Sequence, residues 1–207
     1  MFVSSFVFGV FMAVLNELSE KYELVLEIDL KNNKVQANKV NLISLTLFVV
    51  MFVAMSIFVP VTSMFDLSDG TFKPFLKILA LAFCMFLYIV LHELVHAVFM
   101  KIYGAKKVNF GIKGIYAYAG CKDFFEKGPY LFIAIAPVLI LGVILAAVNF
   151  VVPYDWLWFV YMIQIINVSG AAGDFFVFFI FFKMDKSILI QDTGVEMKVY
   201  QKEKEPN

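Results

Sequence analysis

Four long apolar stretches constrain this chain more than any other feature, because each is long enough to cross a lipid bilayer as a helix. They cover residues 42–59, 75–103, 130–152 and 156–182, and a spanning helix needs about 17–25 apolar residues. Hydrophobic residues make up 62% of the sequence, against about 45–50% in soluble domains. The sequence therefore predicts an all-α membrane protein, a polytopic bundle of about four transmembrane helices.

The lysines predict how the bundle is oriented. They concentrate before the first stretch, between the second and third stretches, and after the fourth. In and just after the connection between the first two stretches there are only Lys73 and Lys77, and the connection at residues 153–155 holds none. Because cytoplasmic loops are enriched in positive charge, we expect a multi-pass plasma-membrane protein with both termini and the long central loop in the cytoplasm.

Three regions follow from this pattern. Residues 1–41 form an N-terminal cytoplasmic or interfacial segment, residues 42–182 a transmembrane core, and residues 183–207 a cytoplasmic tail. The apolar run at residues 2–15 lacks a positive segment before it and a small-residue cleavage site, so a signal peptide is a poor interpretation. We expect an interfacial helix or a partial span there.

Short alternating patterns in the loop and the tail predict a small cytoplasmic β element. In the central loop Val108, Phe110 and Ile112 alternate with polar or glycine positions, and Ile115-Tyr116-Ala117-Tyr118 follows, which is typical of one or two short strands. The tail has an apolar run at residues 188–190 and an alternating segment at residues 195–200, on either side of an Asp-Thr-Gly turn. That arrangement is typical of a β-hairpin.

Charge and cysteine content exclude several classes of function. The formal net charge is zero and every basic residue is lysine, so no nucleic-acid-binding surface is expected. Cys84 and Cys121 are far apart and form no CxxC motif, so no disulfide framework is indicated.

The second apolar stretch contains the motif His92-Glu93-Leu94-Val95-His96, with the only two histidines of the chain. Residues four apart lie one turn apart on a helix, so both imidazoles can bind one Zn²⁺ ion. Glu93 can reach a water bound to that ion, whose pKa zinc lowers toward about 7. We expect Glu93 to act as general base and then as general acid. Ionisable residues at membrane depth are costly and rarely present without a function.

A third ligand is needed, and depth favours Asp174. His92 and His96 lie nine and five residues from Lys101, or roughly 7–14 Å from that end of the helix at about 1.5 Å per residue. Asp174 lies nine residues from Lys183, at roughly 13 Å. Asp123 and Glu126 would need the loop to fold inward. Asp155 belongs to the opposite membrane face, and we expect neither Cys84 nor Cys121 to be a ligand.

Small residues precede Asp174, in the segment Ser169-Gly170-Ala171-Ala172-Gly173. Such a segment lets a helix approach its neighbour closely. Asn167 lies seven residues before Asp174, so on a continuous helix both project from one face. We expect Asn167 to contact substrate, orient a ligand or stabilise an oxyanion, and an ordinary interhelical hydrogen bond is the alternative.

These motifs, with the tail residues Asp192, Gly194 and Tyr200, resemble the zincin peptidases, a family of bacterial membrane proteins defined as a domain of unknown function. The first two motifs also resemble the core of site-2 proteases, in which an HExxH helix gives two zinc ligands and a later Asp-Gly motif gives the third. Here Phe175 follows Asp174, and Val168 follows Asn167 where an Asn-Pro turn is expected. The resemblance implies peptidase activity with Zn²⁺ held by His92, His96 and Asp174.

The sequence thus predicts a membrane-embedded zinc metallopeptidase that hydrolyses a membrane-associated protein or peptide. Two alternatives stay open. One is a catalytically inactive membrane protein with a structural metal site. The other is a metal-handling membrane protein, which is disfavoured because the ionisable residues cluster at one depth instead of forming a path across the bilayer.

Overall fold

The computed structural model describes residues 14–19, 21–65, 72–113, 116–194 and 196–203. Four helices are long and apolar enough to cross a membrane: Lys34–Phe58, Phe72–Ile102, Lys127–Val151 and Tyr154–Lys183. We call the first three α1, α2 and α3. The fourth contains a break, and its two main parts are α4, Leu157–Gly170, and α5, Ala172–Lys183. The expectation for the N-terminal apolar run falls mainly on residues 1–13, which lie outside the described residues.

Strands form two small sheets. The strands in chain order are β1 (Val14–Leu15), β2 (Tyr22–Ile28), β3 (Asn109–Lys113), β4 (Tyr116–Gly120), β5 (Phe124–Glu126), β6 (Leu189–Asp192) and β7 (Met197–Lys202). One sheet is antiparallel with the order β1-β5-β6-β7-β2, and the other is the hairpin β3-β4. The predicted β element is therefore present but larger than expected, because β1, β2 and β5 were not predicted.

The described contacts divide the chain into two compact units, and the division falls within α2 between His92 and Glu93. One unit contains the five-stranded sheet, the end of α2, the start of α3 and α5. Its core is a cluster of buried apolar residues that includes Phe125, Ile133, Phe181 and Val199.

The second unit contains α1, most of α2, most of α3 and α4. Trp158 is almost fully buried here, and its indole N–H donates to the backbone oxygen of Val59 at 3.0 Å. A second cluster joins Tyr88 of α2 to Phe159 and Ile163 of α4. Indole and phenol groups buried in an apolar bundle need such hydrogen-bond partners, and here they connect helices within the unit.

Helix α2 ends where the sequence predicts. Gly104 has φ = 105°, its N–H donates to the Lys101 oxygen, and the Ala105 N–H donates to the Met100 oxygen. This pair of bonds is the Schellman C-cap, which needs a left-handed residue and so favours glycine. The last carbonyls of α2 are thereby satisfied just beyond the histidine-bearing turns.

The fourth apolar stretch differs from the expected single helix. Helix α4 ends at Gly170, and Ala171 has φ = −82° and ψ = 18° before α5 begins. Seven-residue spacing therefore does not place Asn167 and Asp174 on one face of a continuous helix. Gly170 and Gly173 lie on either side of Ala171 and Ala172, and glycine favours a break because it carries a high entropy cost in a helix.

Candidate metal centre

Helix α2 places the two histidines on successive turns of one uninterrupted segment. Both are buried, each with 8% of its surface exposed, although the residues around them on α2 include exposed apolar side chains such as Leu91 and Leu94. The imidazoles thus lie on the packed side of an otherwise apolar helix. Burial of polar rings in this setting requires hydrogen-bond partners or a metal ion.

Each imidazole has a defined partner at Nδ1. The His96 Nδ1 lies 3.0 Å from the backbone oxygen of Ile133 in α3. The His92 Nδ1 lies 2.8 Å from the Tyr88 hydroxyl, one turn earlier on α2. Metal-binding histidines commonly use one ring nitrogen for such a contact and the other for the ion.

Asp174 lies in the first turn of α5, directly after the break. A helix N-terminus favours negative charge, because its first N–H groups are unpaired and the helix dipole is positive there. The Asp174 Oδ1 lies 3.5 Å from the His96 Nε2, and its side chain is 20% exposed. The break therefore places the carboxylate where its ionised form, the form that binds metal, is stabilised.

The structure brings His92, His96 and Asp174 together. One ligand atom from each residue lies within 4.8 Å of the others, and within the described part of the chain no other group of histidine, cysteine and acidic residues does this. Two nitrogens and a carboxylate oxygen are a typical donor set for catalytic zinc. Ligands about 2 Å from a tetrahedral ion are roughly 3.3 Å apart, so the three residues fit a zinc ion after small adjustments.

Glu93 follows His92 on α2 and is partly buried. Its neighbouring position in the motif puts its side chain on a different side of the helix from the two imidazoles, since adjacent residues are about 100° apart. That placement suits a group that acts beside a metal ion instead of binding it, and its catalytic role stays a prediction.

Asn167 has no exposed surface. Its Nδ2 donates to the Val138 backbone oxygen at 3.1 Å, and its Oδ1 accepts from the Tyr88 hydroxyl at 3.1 Å. The interhelical hydrogen bond weighed as the alternative is thus present. Among the three roles expected for Asn167, this geometry favours orientation of a ligand, since Tyr88 is also the partner of His92. Substrate contact stays a prediction.

Three of the other candidate ligands, Asp123, Asp155 and Cys121, have other partners. Asp123 accepts from the Lys106 N–H at 2.8 Å, which ties down the loop after α2. Asp155 pairs with Lys77 at 3.2 Å. The Cys121 thiol contacts the Asp123 backbone oxygen, and burial raises its pKa to about 12. Because the thiolate is the form that binds metal, Cys121 is poorly suited as a ligand.

Of the small residues before Asp174, Ser169, Ala171 and Ala172 are buried, whereas the two glycines make no close approach to another helix. Among the described residues, a side chain added at Gly173 would meet nothing within 4 Å, and one at Gly170 would meet only Ile166, at 3.9 Å. The close approach occurs at Gly142 of α3, where an added Cβ would lie 3.0 Å from the Asn167 Nδ2. The segment before Asp174 therefore ends one helix and starts another.

Tyr88 is the one residue of this network that the sequence analysis did not select. A signal was available, because Tyr88 precedes His92 by four residues and so lies on the same face of α2. Tyrosine is common in apolar helices, however, and the neighbouring residues Phe86 and Leu87 are apolar. The sequence around Tyr88 therefore did not mark it as a functional residue. Its contacts with His92 and Asn167 are apparent only in the folded chain.

A sequence profile for a protein family described as "Putative zincin peptidase" matches residues 85–189, about half of the chain. The chain belongs to this zincin peptidase family. The matched region begins just before Tyr88 and ends in β6, so it contains the HExxH motif, Asp174 and Asn167. No curated protein and no solved structure is significantly similar to the chain.

Membership of the zincin peptidase family supports a metallopeptidase. In the chain, two histidines of an HExxH motif and a carboxylate from another helix segment can hold one metal ion. These residues lie in helices that are long and apolar enough to cross a membrane.

Proposed function

We propose that this protein is a membrane-embedded zinc metallopeptidase that hydrolyses peptide bonds of a membrane-associated protein or peptide. The observation that carries the proposal is the cluster of His92, His96 and Asp174, whose ligand atoms lie within 4.8 Å of one another. Three protein ligands leave one position open for water or substrate, as in catalytic zinc sites, whereas structural sites use four.

In this proposal, three residues bind the metal ion and one transfers protons. His92, His96 and Asp174 would hold the ion, which would supply Lewis acidity and activate a water molecule. Glu93 takes the proton as the nucleophile attacks the scissile carbonyl, and returns it to the leaving amine. The low dielectric of the surrounding helices strengthens each of these electrostatic interactions.

The location of the helices argues for a substrate within or beside the membrane. Helix α1 has no buried residue among its 25, and its exposed side chains include Leu42, Val50 and Ile57. An apolar surface of that extent requires lipid or protein contact. We propose insertion into the plasma membrane of a bacterial cell, with the bilayer as a partner.

The hairpin β3-β4 offers a way to hold an extended substrate. Phe110 and Ile112 are 58% and 78% exposed on the same face of β3, and within the described residues β3 pairs only with β4. A substrate strand added to the free edge would present its backbone for attack. Phe110→Pro should reduce cleavage more than Phe110→Ser, and equal cleavage by both variants would contradict strand addition.

Glu93→Gln tests the proposed reaction. Membranes containing candidate substrates are incubated with the purified protein in proteoliposomes, and new peptide N-termini are identified by mass spectrometry. The wild type should generate N-termini that the Glu93→Gln variant does not, while both retain zinc, since a glutamine side chain cannot accept the proton. Glu23→Gln, on the exposed side of β2, is the matched control and should cleave normally.

The same experiment separates the alternatives. An inactive protein with a structural metal site would hold zinc and release no new N-termini in any variant. A metal-handling protein would change zinc content across sealed vesicles and show no difference in peptides. Equal cleavage by wild type and Glu93→Gln would refute the mechanism.

A further inference from the structure

We propose that Tyr88 and Asn167 are positioning residues that fix His92 as the tautomer protonated at Nδ1, so that its Nε2 lone pair faces the metal. The inference rests on the proposed zinc site and concerns how that site is prepared. The three side chains all belong to the helical unit formed by residues 39–92 and 137–173.

The direction of each hydrogen bond follows from a group that can only accept. The Val138 backbone oxygen lies 3.1 Å from the Asn167 amide and has no proton to give, so the facing atom is Nδ2, a donor. The other amide atom, Oδ1, is therefore the one that faces Tyr88 at 3.1 Å. The orientation of the Asn167 amide is thus assigned from its hydrogen-bond partners.

Tyr88 must then donate toward Asn167. Both Asn167 atoms within reach of the hydroxyl, Oδ1 at 3.1 Å and the backbone oxygen at 3.4 Å, are acceptors. A tyrosine hydroxyl has a single proton, so at His92 the Tyr88 oxygen can only accept. The His92 Nδ1 at 2.8 Å must therefore carry the hydrogen.

Packing holds this chain of bonds in place. Asn167 is fully buried, Tyr88 is 7% exposed, and the absence of a side chain at Gly142 leaves space for the amide. His96 reaches the same tautomer by a different route, because its Nδ1 faces the Ile133 backbone oxygen, another pure acceptor. Both imidazoles thus present Nε2, as two ligands of one ion require.

Zinc affinity tests the role of Tyr88. We expect Tyr88→Phe to weaken Zn²⁺ binding by about 10–100-fold, the usual cost of losing a partner of a metal-bound histidine. The matched control is Tyr161→Phe, which removes an interhelical hydrogen bond to the Met51 oxygen in the same unit but does not involve His92. Titration of the purified metal-free variants with zinc, against a competing chelator, gives the dissociation constants.

A measurement on the wild type avoids dependence on the variants folding. The chain has two histidines, so selective ¹⁵N-histidine labelling gives two imidazole spin systems, and a His96→Gln sample assigns them. Long-range ¹H–¹⁵N correlation spectra show which nitrogen is protonated. We expect protonated Nδ1 on His92 in the metal-free and zinc-loaded protein.

The outcomes distinguish this inference from the proposed function. If the wild type binds zinc and Tyr88→Phe binds it equally well, or if the His92 proton is on Nε2, the positioning role is wrong and the peptidase proposal stands. If the wild type binds no zinc, the proposed site is wrong, and the tautomer of metal-free His92 still decides the inference. If Tyr161→Phe weakens zinc binding as much as Tyr88→Phe does, the effect of Tyr88 is one of packing and the positioning role is wrong.

Discussion

Asp174 depends on a local feature of the chain, the end of one helix and the beginning of another. Because α4 ends at Gly170 and α5 begins at Ala172, Asp174 lies in a first turn, where backbone N–H groups are available. On a continuous helix the same carboxylate would lie in an interior turn without that support. The break thus contributes to the site as directly as the aspartate does.

Replacement of Asp174 should abolish stoichiometric zinc binding. Asp174→Ala removes one of three ligands and the partner 3.5 Å from His96, so we expect a loss greater than the ~10–100-fold typical of positioning residues. Metal analysis of the purified protein measures it. Asp155→Ala is the control, since Asp155 pairs with Lys77 at a half-exposed position and exposed ion pairs contribute little. Equal zinc in wild type and Asp174→Ala would remove Asp174 from the ligand set.

Cys121 should be chemically inert while the protein is folded. Burial raises the pKa of its thiol to about 12, so at pH 7–8 almost none is thiolate, the reactive form. We expect maleimide labelling of a Cys84→Ala variant to be slow in mild detergent and fast after denaturation. The Cys121→Ser variant should keep its zinc. Rapid labelling of folded Cys121, or loss of zinc on its replacement, would contradict this.

The sequence could predict the three residues of the candidate metal centre but not the polar contacts around them. His92 and His96 were predicted from a motif. Asp174 was predicted because its distance from Lys183 along its helix matches that of the histidines from Lys101. Tyr88 and Asn167 act through a pairing across 79 residues, and nothing local to either position indicates the partner. Long-range contacts of single polar side chains are set by helix packing, which one sequence does not specify.

Strand β6 ends at Asp192, whose hydrogen bonds hold this end of the strand in place. One Asp192 oxygen accepts from the Tyr130 hydroxyl at 2.7 Å and the other from the Gly194 N–H at 2.8 Å, while its backbone oxygen accepts from the Cys121 N–H at 2.7 Å. Gly194 has φ = 78°, which a side chain would strain. The tail motif noted in the sequence is thus a turn that connects the sheet to α3.

Asp192 should make stability depend on pH. Burial raises the pKa of its carboxyl, although hydrogen bonds from Tyr130 and Gly194 lower it in part. A raised folded pKa gives a stabilisation that is complete below the unfolded pKa of about 3.9 and lost as pH rises through the folded value. Asp192→Asn cannot ionise, and its Nδ2 can donate to the Tyr130 oxygen. Its unfolding free energy relative to wild type should therefore increase with pH.

Unfolding of both proteins in detergent between pH 4 and 8 measures this difference. The comparison cancels groups that titrate identically in the two proteins. Glu23→Gln, which alters an exposed carboxyl on β2, should show a flat difference. A flat or falling difference for Asp192→Asn would show that burial does not control this carboxyl.

The short strands of the loop and the hairpin of the tail could be predicted, whereas the rest of the larger sheet could not. Both hairpins pair neighbouring segments, so an alternating pattern and a turn suffice. Strand β2 pairs with β7 across more than 160 residues, and its register shifts between Leu24 and Leu26. That irregularity interrupts the alternation that would have marked Tyr22–Ile28 as a strand.

Across the molecule, exposed apolar side chains and positive charges lie on different segments of the chain. The exposed large apolar side chains concentrate on α1, α2 and α3, while the lysines concentrate in the connections and at the ends. Lys101 at the end of α2 and Lys183 at the end of α5 belong to the lysine-rich side predicted to be cytoplasmic. In that predicted orientation the site residues would lie nearer the cytoplasmic face.

The topology can be tested with paired reporter fusions in a bacterial host. Alkaline phosphatase is active only outside the cytoplasm, and green fluorescent protein exported in unfolded form fluoresces only inside it. We expect phosphatase activity for fusions after residues 68 and 154, and fluorescence for fusions after residues 107 and 207, because lysine-rich connections are retained in the cytoplasm. Neutralising Lys101, Lys106 and Lys107 together should weaken this bias. An active phosphatase at the C-terminus would reverse the orientation and place the metal site nearer the outer face.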